Sequence, residues 1–195
     1  MIYYKDFLND LSENSVLLID TCCVLHDDFA GFLEALEECE QSQYRVLIPL
    51  DVYMETAKLS VTGKSETKDK AIMGLALLHR GFANNTLQLM KEYAVCTWFA
   101  DPSIIGATLS LSTNSDVIVL TQDCQLSRDI RTISDSEAVR GGEIDVFKFA
   151  SRGGGVHRFT DFNQVEKLTP QETTIQLLIK DGVVSQVSYA RMGRN

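Results

Sequence analysis

Short apolar runs that end in an aspartate recur along this chain, and they constrain its fold more than any other feature. Their residues do not alternate with polar ones, which is typical of strands buried on both faces of a parallel sheet. Amphipathic helical patterns lie between the runs. This order predicts an α/β fold, with a mostly parallel central sheet of about five strands and helices on both faces. The runs occupy positions 16–20, 96–101 and 117–123, and they end in Asp20, Asp101 and Asp123.

The same patterns predict the bounds of the individual elements. Asp51 and Asp101 are each predicted to be a helix N-cap, the second followed by Pro102 at the first helical position. The polar segment 62–70 is predicted to be a loop. Apolar runs predict strands at 15–20, 44–50, 94–100, 116–121 and 144–149. Helical spacing predicts helices at 3–11, 27–40, 51–60, 71–80, 86–93 and 124–133, with a further helix after Asp101.

The chain of 195 residues can bury one main core and carry a small extension. Three consecutive glycines in the segment 151–157 predict a loop and a domain boundary. Beyond it, strand-like alternation at 173–180 and 183–190 flanks Asp181-Gly182, a pair typical of a two-residue hairpin turn. The sequence therefore predicts a domain over 1–150 that includes the N-terminal helix. It predicts a glycine-rich connector and a C-terminal β-hairpin over 151–195.

The net charge of −9 disfavours a protein that coats nucleic acid through many contacts from lysine and arginine to phosphate. It is compatible with a nuclease, because a metal ion bound among carboxylates reverses the local charge. The apolar stretches are shorter than the roughly 20 residues that a membrane helix needs. The 5 cysteines are odd in number and include no CxxC pair, which favours reduced thiols. We therefore expect a cytoplasmic protein with no membrane partner.

Four acidic residues from distant parts of the chain are predicted to meet at one edge of the sheet. Asp20, Asp101 and Asp123 end apolar runs, and Glu55 lies on the helix after the run 44–50. Open α/β sheets bind ligands at the carboxyl ends of their strands. Carboxylates held close together repel unless a cation lies among them. The hard ions that take oxygen ligands, Mg²⁺ and Mn²⁺, suit such a cluster.

Each acid also has a structural interpretation. Asp101 fits a simple N-cap, and Glu55 fits a solvated position on a helix. Asp20 and Asp123 directly follow apolar strands, so both fit a cleft better than a core. Asp129, on the helix after Asp123, is a further candidate for the cluster.

The order of these motifs resembles the PIN domain, a family of metal-dependent ribonucleases. The most specific segment is the last, because its apolar strand closes with Thr-x-Asp and continues to another acid. The resemblance covers about 16–149, and a long helical insert before Asp101 makes it closer to the larger PIN enzymes than to the smallest toxin members. The matching segments are LLIDTC around Asp20, IPLDVYMETAKL around Glu55, ADPSIIGATLSL around Asp101 and DVIVLTQDCQLSRDI around Asp123.

The resemblance implies a PIN-like domain that acts as an endoribonuclease. Asp20, Glu55, Asp101 and Asp123 would be its catalytic residues and would hold one or two Mg²⁺ or Mn²⁺ ions. Thr121 would support Asp123 through its hydroxyl. RNA is the implied substrate, and an antitoxin is an example of the protein partner that some members bind. Many larger members carry two adjacent acids where this chain has an alanine before Asp101. This chain therefore has one acid fewer there to bind a second ion.

Two other function classes stay open. A catalytically inactive PIN-like module would bind RNA or a protein partner, with the C-terminal hairpin as the docking edge. An α/β phosphatase would use Asp20 as its nucleophile, but the sequence lacks the Asp-x-Asp spacing expected there. Metal-dependent cleavage of RNA discriminates the nuclease from both.

Overall fold

The chain divides into two compact units, Met1–Phe159 and Thr160–Asn195. The structure is a computed structural model, and it describes residues 1–39, 44–95, 99–135, 141–151, 153–159, 174–180 and 183–190. The first unit contains a seven-stranded sheet with its helices, and the second contains a two-stranded sheet. The first unit extends past residue 150, where the sequence predicts the boundary, because the predicted loop contains a strand of the sheet.

The sheet of the first unit is mostly parallel, as predicted. Its strands are β1 Ile2–Tyr3, β2 Ser15–Ile19, β3 Tyr44–Pro49, β4 Gln88–Met90, β5 Asp116–Leu120, β6 Ile144–Phe149 and β7 Gly155–Arg158. They lie in the order β1-β7-β6-β5-β2-β3-β4. The five from β6 to β4 run parallel, and the pairs β6–β7 and β7–β1 are antiparallel. The sequence analysis missed β1 and β7, which extend one edge.

Helices cover both faces of this sheet, as predicted. In the described ranges they are α1 Tyr4–Asn9, α2 Thr21–Val24, α3 Phe29–Glu38, α4 Leu50–Thr62, α5 Ser65–Ala83, α6 Asp101–Leu111 and α7 Cys124–Ser134. The β2-to-β3 and β5-to-β6 connections run in opposite directions along the sheet. Because such crossovers are right-handed, α3 and α7 cover opposite faces. Phe32 of α3 and Ile130 of α7 are fully buried there. None of the described helices is long and apolar enough to cross a membrane.

The strand order reverses where β2 and β5 lie side by side in the middle of the sheet. Ile19 is paired with Leu120 at the ends of these two strands. The next residues, Asp20 and Thr121, therefore leave the sheet next to each other. β2 is buried along its whole length. This reversal is the position at which open α/β sheets bind their ligands.

The region between β3 and α6 differs most from the sequence prediction. Helix α5 begins at Ser65, inside the predicted loop 62–70, and its first turns are polar because they face solvent. The predicted helix 86–93 is wrong, because Gln88–Met90 forms strand β4 against β3. The predicted strand 94–100 is wrong in its described part, which is irregular and ends in a bend. Residues 96–98 lie outside the described residues.

Asp51 and Asp101 lie inside their helices, so both N-cap predictions are wrong. Pro49 is at the cap position of α4, and the buried Asp51 accepts a hydrogen bond from the Val95 N–H at 2.9 Å. Ala100 is at the cap position of α6, which begins at Asp101. The Asp51 carboxylate therefore ties Val95 to α4.

The second unit is described by its two strands. β8 Thr174–Lys180 pairs antiparallel with β9 Val183–Ala190, with an irregularity between Leu178 and Ile179. This pairing confirms the predicted C-terminal hairpin. The predicted turn at Asp181 and Gly182 lies outside the described residues.

Candidate active site

Asp20 follows β2 and is only 4% exposed. Its Oδ1 accepts a hydrogen bond from the Thr21 N–H at 2.6 Å. Its Oδ2 accepts from the Thr121 hydroxyl at 2.7 Å and from the Cys22 thiol. Burial raises the pKa of Asp20 and the charge of Asp123 adds to this rise, while the three hydrogen bonds lower it. The carboxylate is therefore desolvated and fixed in orientation by donors on both oxygens.

Asp123 is the N-cap of α7. Its Oδ1 accepts hydrogen bonds from the backbone N–H groups of Gln125 at 2.5 Å and Leu126 at 2.9 Å. Its own N–H donates to the Thr121 hydroxyl at 3.0 Å. Thr121 is fully buried, and its hydroxyl thus joins the Asp20 carboxylate to the Asp123 backbone. The Thr121 hydroxyl thus contacts the predicted Asp123 through its backbone N–H, and it also contacts the Asp20 side chain.

Glu55 is half-buried on α4 and belongs to the same cluster. Its Oε2 accepts a hydrogen bond from the Thr21 hydroxyl at 2.7 Å. Burial raises the pKa of Glu55, and the charge of Asp20 raises it further, while hydrogen bonds from Thr21 and the Ala100 backbone lower it. The interpretation of Glu55 as a solvated helix residue is therefore wrong.

Asp101 begins α6 and is exposed. Although one side of it meets solvent, desolvation and then the charges of Asp20, Asp123, Glu55 and Asp129 raise its pKa to about 6. Carboxylates raise each other's pKa only when they lie close together. Hydrogen bonds through Thr21 and Thr121 thus connect Asp20 to Glu55 and to Asp123, and Asp101 and Asp129 lie near enough for the charges to act on one another.

The cluster consists of carboxylate oxygens, which are the ligands that Mg²⁺ and Mn²⁺ prefer. In the ranges that the structure describes, no three Asp, Glu, His or Cys side chains are placed to hold one ion together. The donors fit a hard ion by their chemistry, but their described positions do not form a site of three ligands, so a bound ion would require some of these side chains to move. Glu55 and Asp101, which are less buried than Asp20, have the room to adjust. The catalytic and ligand roles of the four acids stay predictions.

Thr21 and Cys22 also belong to the site and were not predicted from the sequence. Thr21 binds Asp20 through its backbone and Glu55 through its hydroxyl. Cys22 accepts a hydrogen bond from the Gln122 N–H at 2.9 Å and donates to Asp20, so it joins the ends of β2 and β5. Both residues lie in α2, whose four residues are too few to show a helical pattern. Their position directly after Asp20 was the available signal.

Comparison with solved structures shows that the sheet and its helices form a PIN-like domain. One of these structures is that of the PIN domain endonuclease Utp24, which aligns over 78% of this chain and 98% of its own with a TM-score of 0.51 and 20% identity. At that identity the likeness concerns the fold. No family model and no curated protein matches the sequence. The resemblance predicted from the four motifs is confirmed at the level of the fold.

Proposed function

We propose that this protein is a divalent-metal-dependent endoribonuclease that hydrolyses phosphodiester bonds of RNA. The observation that carries the proposal is the meeting of four carboxyl groups at the strand reversal. These groups come from four separate elements, and the hydroxyls of Thr21 and Thr121 connect three of those elements by hydrogen bonds. The PIN-like fold supports the same reaction class, because a solved structure with this fold is that of an endonuclease.

In this proposal Asp20 and Asp123 are the principal ligands, since hydrogen bonds already orient both carboxylates. Asp101 completes the ligand set, and Glu55 binds the ion or orients the attacking water. If bound there, Mg²⁺ or Mn²⁺ would lower the pKa of a water molecule and would offset the charge that develops on the phosphate oxygens. In this proposal the protein's own task is to bring the four carboxylates around one ion against their repulsion.

The proposed substrate is unpaired RNA, because a flexible backbone can bring a phosphate down to carboxylates as deep as Asp20. The charge of −9 gives little nonspecific attraction to RNA, so a protein partner, such as an antitoxin in a toxin pair, is part of the proposal. The cytoplasm is the proposed location. The four described cysteines are free thiols, as a reducing compartment keeps them.

The test is cleavage of a mixed RNA pool with Mg²⁺ or Mn²⁺. The native chain is compared with the double variant Asp20→Asn and Asp123→Asn. A matched control neutralises two exposed acids elsewhere, Asp69→Asn and Glu92→Gln. We expect the native chain and the control to cut and the double variant to be inactive while still folded. Equal cutting by all three chains, or none by the native chain, contradicts the proposal.

A catalytically inactive module that binds RNA or a protein partner is the second candidate function. It is favoured by one observation, the engagement of both Asp20 oxygens by protein donors. A module of this kind would bind RNA or its partner equally well with and without divalent ions. It would also show no change in melting temperature when Mn²⁺ is added.

A further inference from the structure

Lys148 is a buried lysine close to the Asp123 turn, and the proposed mechanism does not use it. It lies on β6 and is 7% exposed. Its neighbour Phe147 pairs with Leu120 at the end of β5, and the Phe147 carbonyl accepts the Thr121 N–H at 3.0 Å. Lys148 therefore lies beside the point where the β5 chain leaves the sheet toward Asp123.

The Lys148 ammonium contacts the residues on both sides of Asp123. Its Nζ donates to the Gln122 carbonyl at 3.1 Å and to the Cys124 sulfur at 3.2 Å. It also lies 4.9 Å from the centre of the Phe159 ring. One side chain from a neighbouring strand thus holds the residue before Asp123 and the residue after it.

Packing alone does not explain a lysine at this position. Burying an ammonium is costly unless charged or strongly polar groups compensate for the lost water. Among the described residues its partners are a carbonyl, a thiol and a ring, none of which is a carboxylate. On β7, His157 pairs with Lys148, and its imidazole supplies no negative charge because it is neutral or cationic.

We infer that Lys148 is a positioning residue, which fixes the turn 122–124 and thereby the direction in which Asp123 presents its carboxylate. That this positioning benefits catalysis rests on the proposed function. That Lys148 fixes the turn rests on its contacts to Gln122 and Cys124. A methionine would fill the same space without the cost of a buried charge, but it would leave both contacts unmade.

The test is amide hydrogen exchange of the metal-free protein, at the Gln125 and Leu126 N–H groups that donate to Asp123. For Lys148→Met we expect exchange at these two amides to be at least about tenfold faster, with no change in α3. The control, Arg158→Met, removes a cation on β7 that pairs with Asp145 and should change neither amide. Equal exchange in Lys148→Met and the native chain overturns the inference. A uniform rise across the sheet also overturns it, because that result marks a merely structural role.

Two further measurements keep the test decisive. If Lys148→Met does not fold, Cys124→Ala removes one contact of the ammonium at an exposed site, and it should speed exchange at Gln125 about threefold. An unchanged rate overturns the inference.

Calorimetric Mn²⁺ binding should weaken about tenfold in Lys148→Met. If the native chain neither binds Mn²⁺ nor cuts RNA, the proposed function fails while the exchange data still decide the role of Lys148.

Discussion

The two halves of the acidic cleft are built in different ways. Asp20 and Asp123 follow adjacent strands, and hydrogen bonds from backbone, hydroxyl and thiol groups orient their carboxylates. Glu55 and Asp101 lie on helices, and burial with neighbouring negative charge raises the pKa of both. We call the strand half the geometric half because more hydrogen bonds orient its carboxylates, and we call the helix half the charged half because burial and neighbouring charges raise the pKa of its Asp101 to about 6. Loss of a hydrogen-bond donor should therefore disturb the orientation of Asp20 or Asp123. A change of pH should act on the charge of Asp101.

Neutralising one acid of each half tests most directly whether the two halves contribute differently to cleavage. We expect Asp20→Asn to lower metal-dependent RNA cleavage by at least about 10²-fold, which is about 2.7 kcal/mol in the barrier. Asp101→Asn, at an exposed position, should cost about tenfold. Single-turnover cleavage rates measure both effects. A larger loss in Asp101→Asn than in Asp20→Asn would reverse the assignment of the two halves.

The next largest effect should come from Thr121→Val, which keeps the shape of the side chain and removes its hydroxyl. Asp20 then loses a donor and the Asp123 N–H loses its acceptor. We expect cleavage to fall about 10- to 100-fold and the free energy of unfolding to fall by about 1–3 kcal/mol. Cleavage assays and urea denaturation measure these changes. Thr121→Ser, which keeps the hydroxyl, should restore most of both, and equal behaviour of the two variants would count against the bridge.

A smaller effect is expected where the two halves touch. Thr21→Val removes the hydroxyl that donates to Glu55 but keeps the backbone N–H that binds Asp20. The free energy of unfolding should fall by about 1 kcal/mol, and cleavage should fall about threefold. Denaturation and cleavage assays, with Thr21→Ser as the control, measure the two effects. A loss as large as that of Thr121→Val would mean that Glu55 belongs to the geometric half.

The smallest effect is a pH dependence of stability in the metal-free protein. The Asp101 pKa is raised from 3.8 to about 6, so between these values the folded chain binds the proton more tightly than the unfolded chain. The contribution of Asp101 is therefore most favourable at low pH and is lost as pH rises through this window. Solvent screening at this exposed residue keeps the effect small.

Thermal unfolding of metal-free protein across this pH window measures the effect. Asp101→Asn should unfold at a higher temperature than the native chain above pH 6, and the difference should vanish near pH 4. A constant difference across the window would show that the raised pKa of Asp101 does not act on stability.

The sequence predicts best the strands that consist of continuous apolar runs. The bounds of β6 agree with the prediction, and β2, β3 and β5 differ from it by about a residue at one end. The prediction for β4 fails because Gln88–Met90 is too short to show a pattern. This segment is a strand because it pairs with β3. The start of α5 fails because its first turns touch solvent on most sides, so their polarity is indistinguishable from that of a loop.

The site, too, could be predicted only in part. That Asp20 and Asp123 would lie together could be predicted, because strand ends share an edge. The partners of Thr21, Cys22 and Lys148 could not be predicted, because each contact joins segments far apart in sequence. The groups that the Thr121 hydroxyl contacts could not be predicted either, because they depend on the direction of its side chain.

The antiparallel edge of the sheet has a consequence for folding. The pairing of Ile2 with Val156 joins residues from opposite ends of the first unit, so it cannot form until almost the whole unit has been made. During synthesis at roughly 5–20 residues per second, β1 waits on the order of ten seconds for β7 to emerge. We therefore expect the amino-terminal strand to dock late, after the chain segments that bear the acids have already been made.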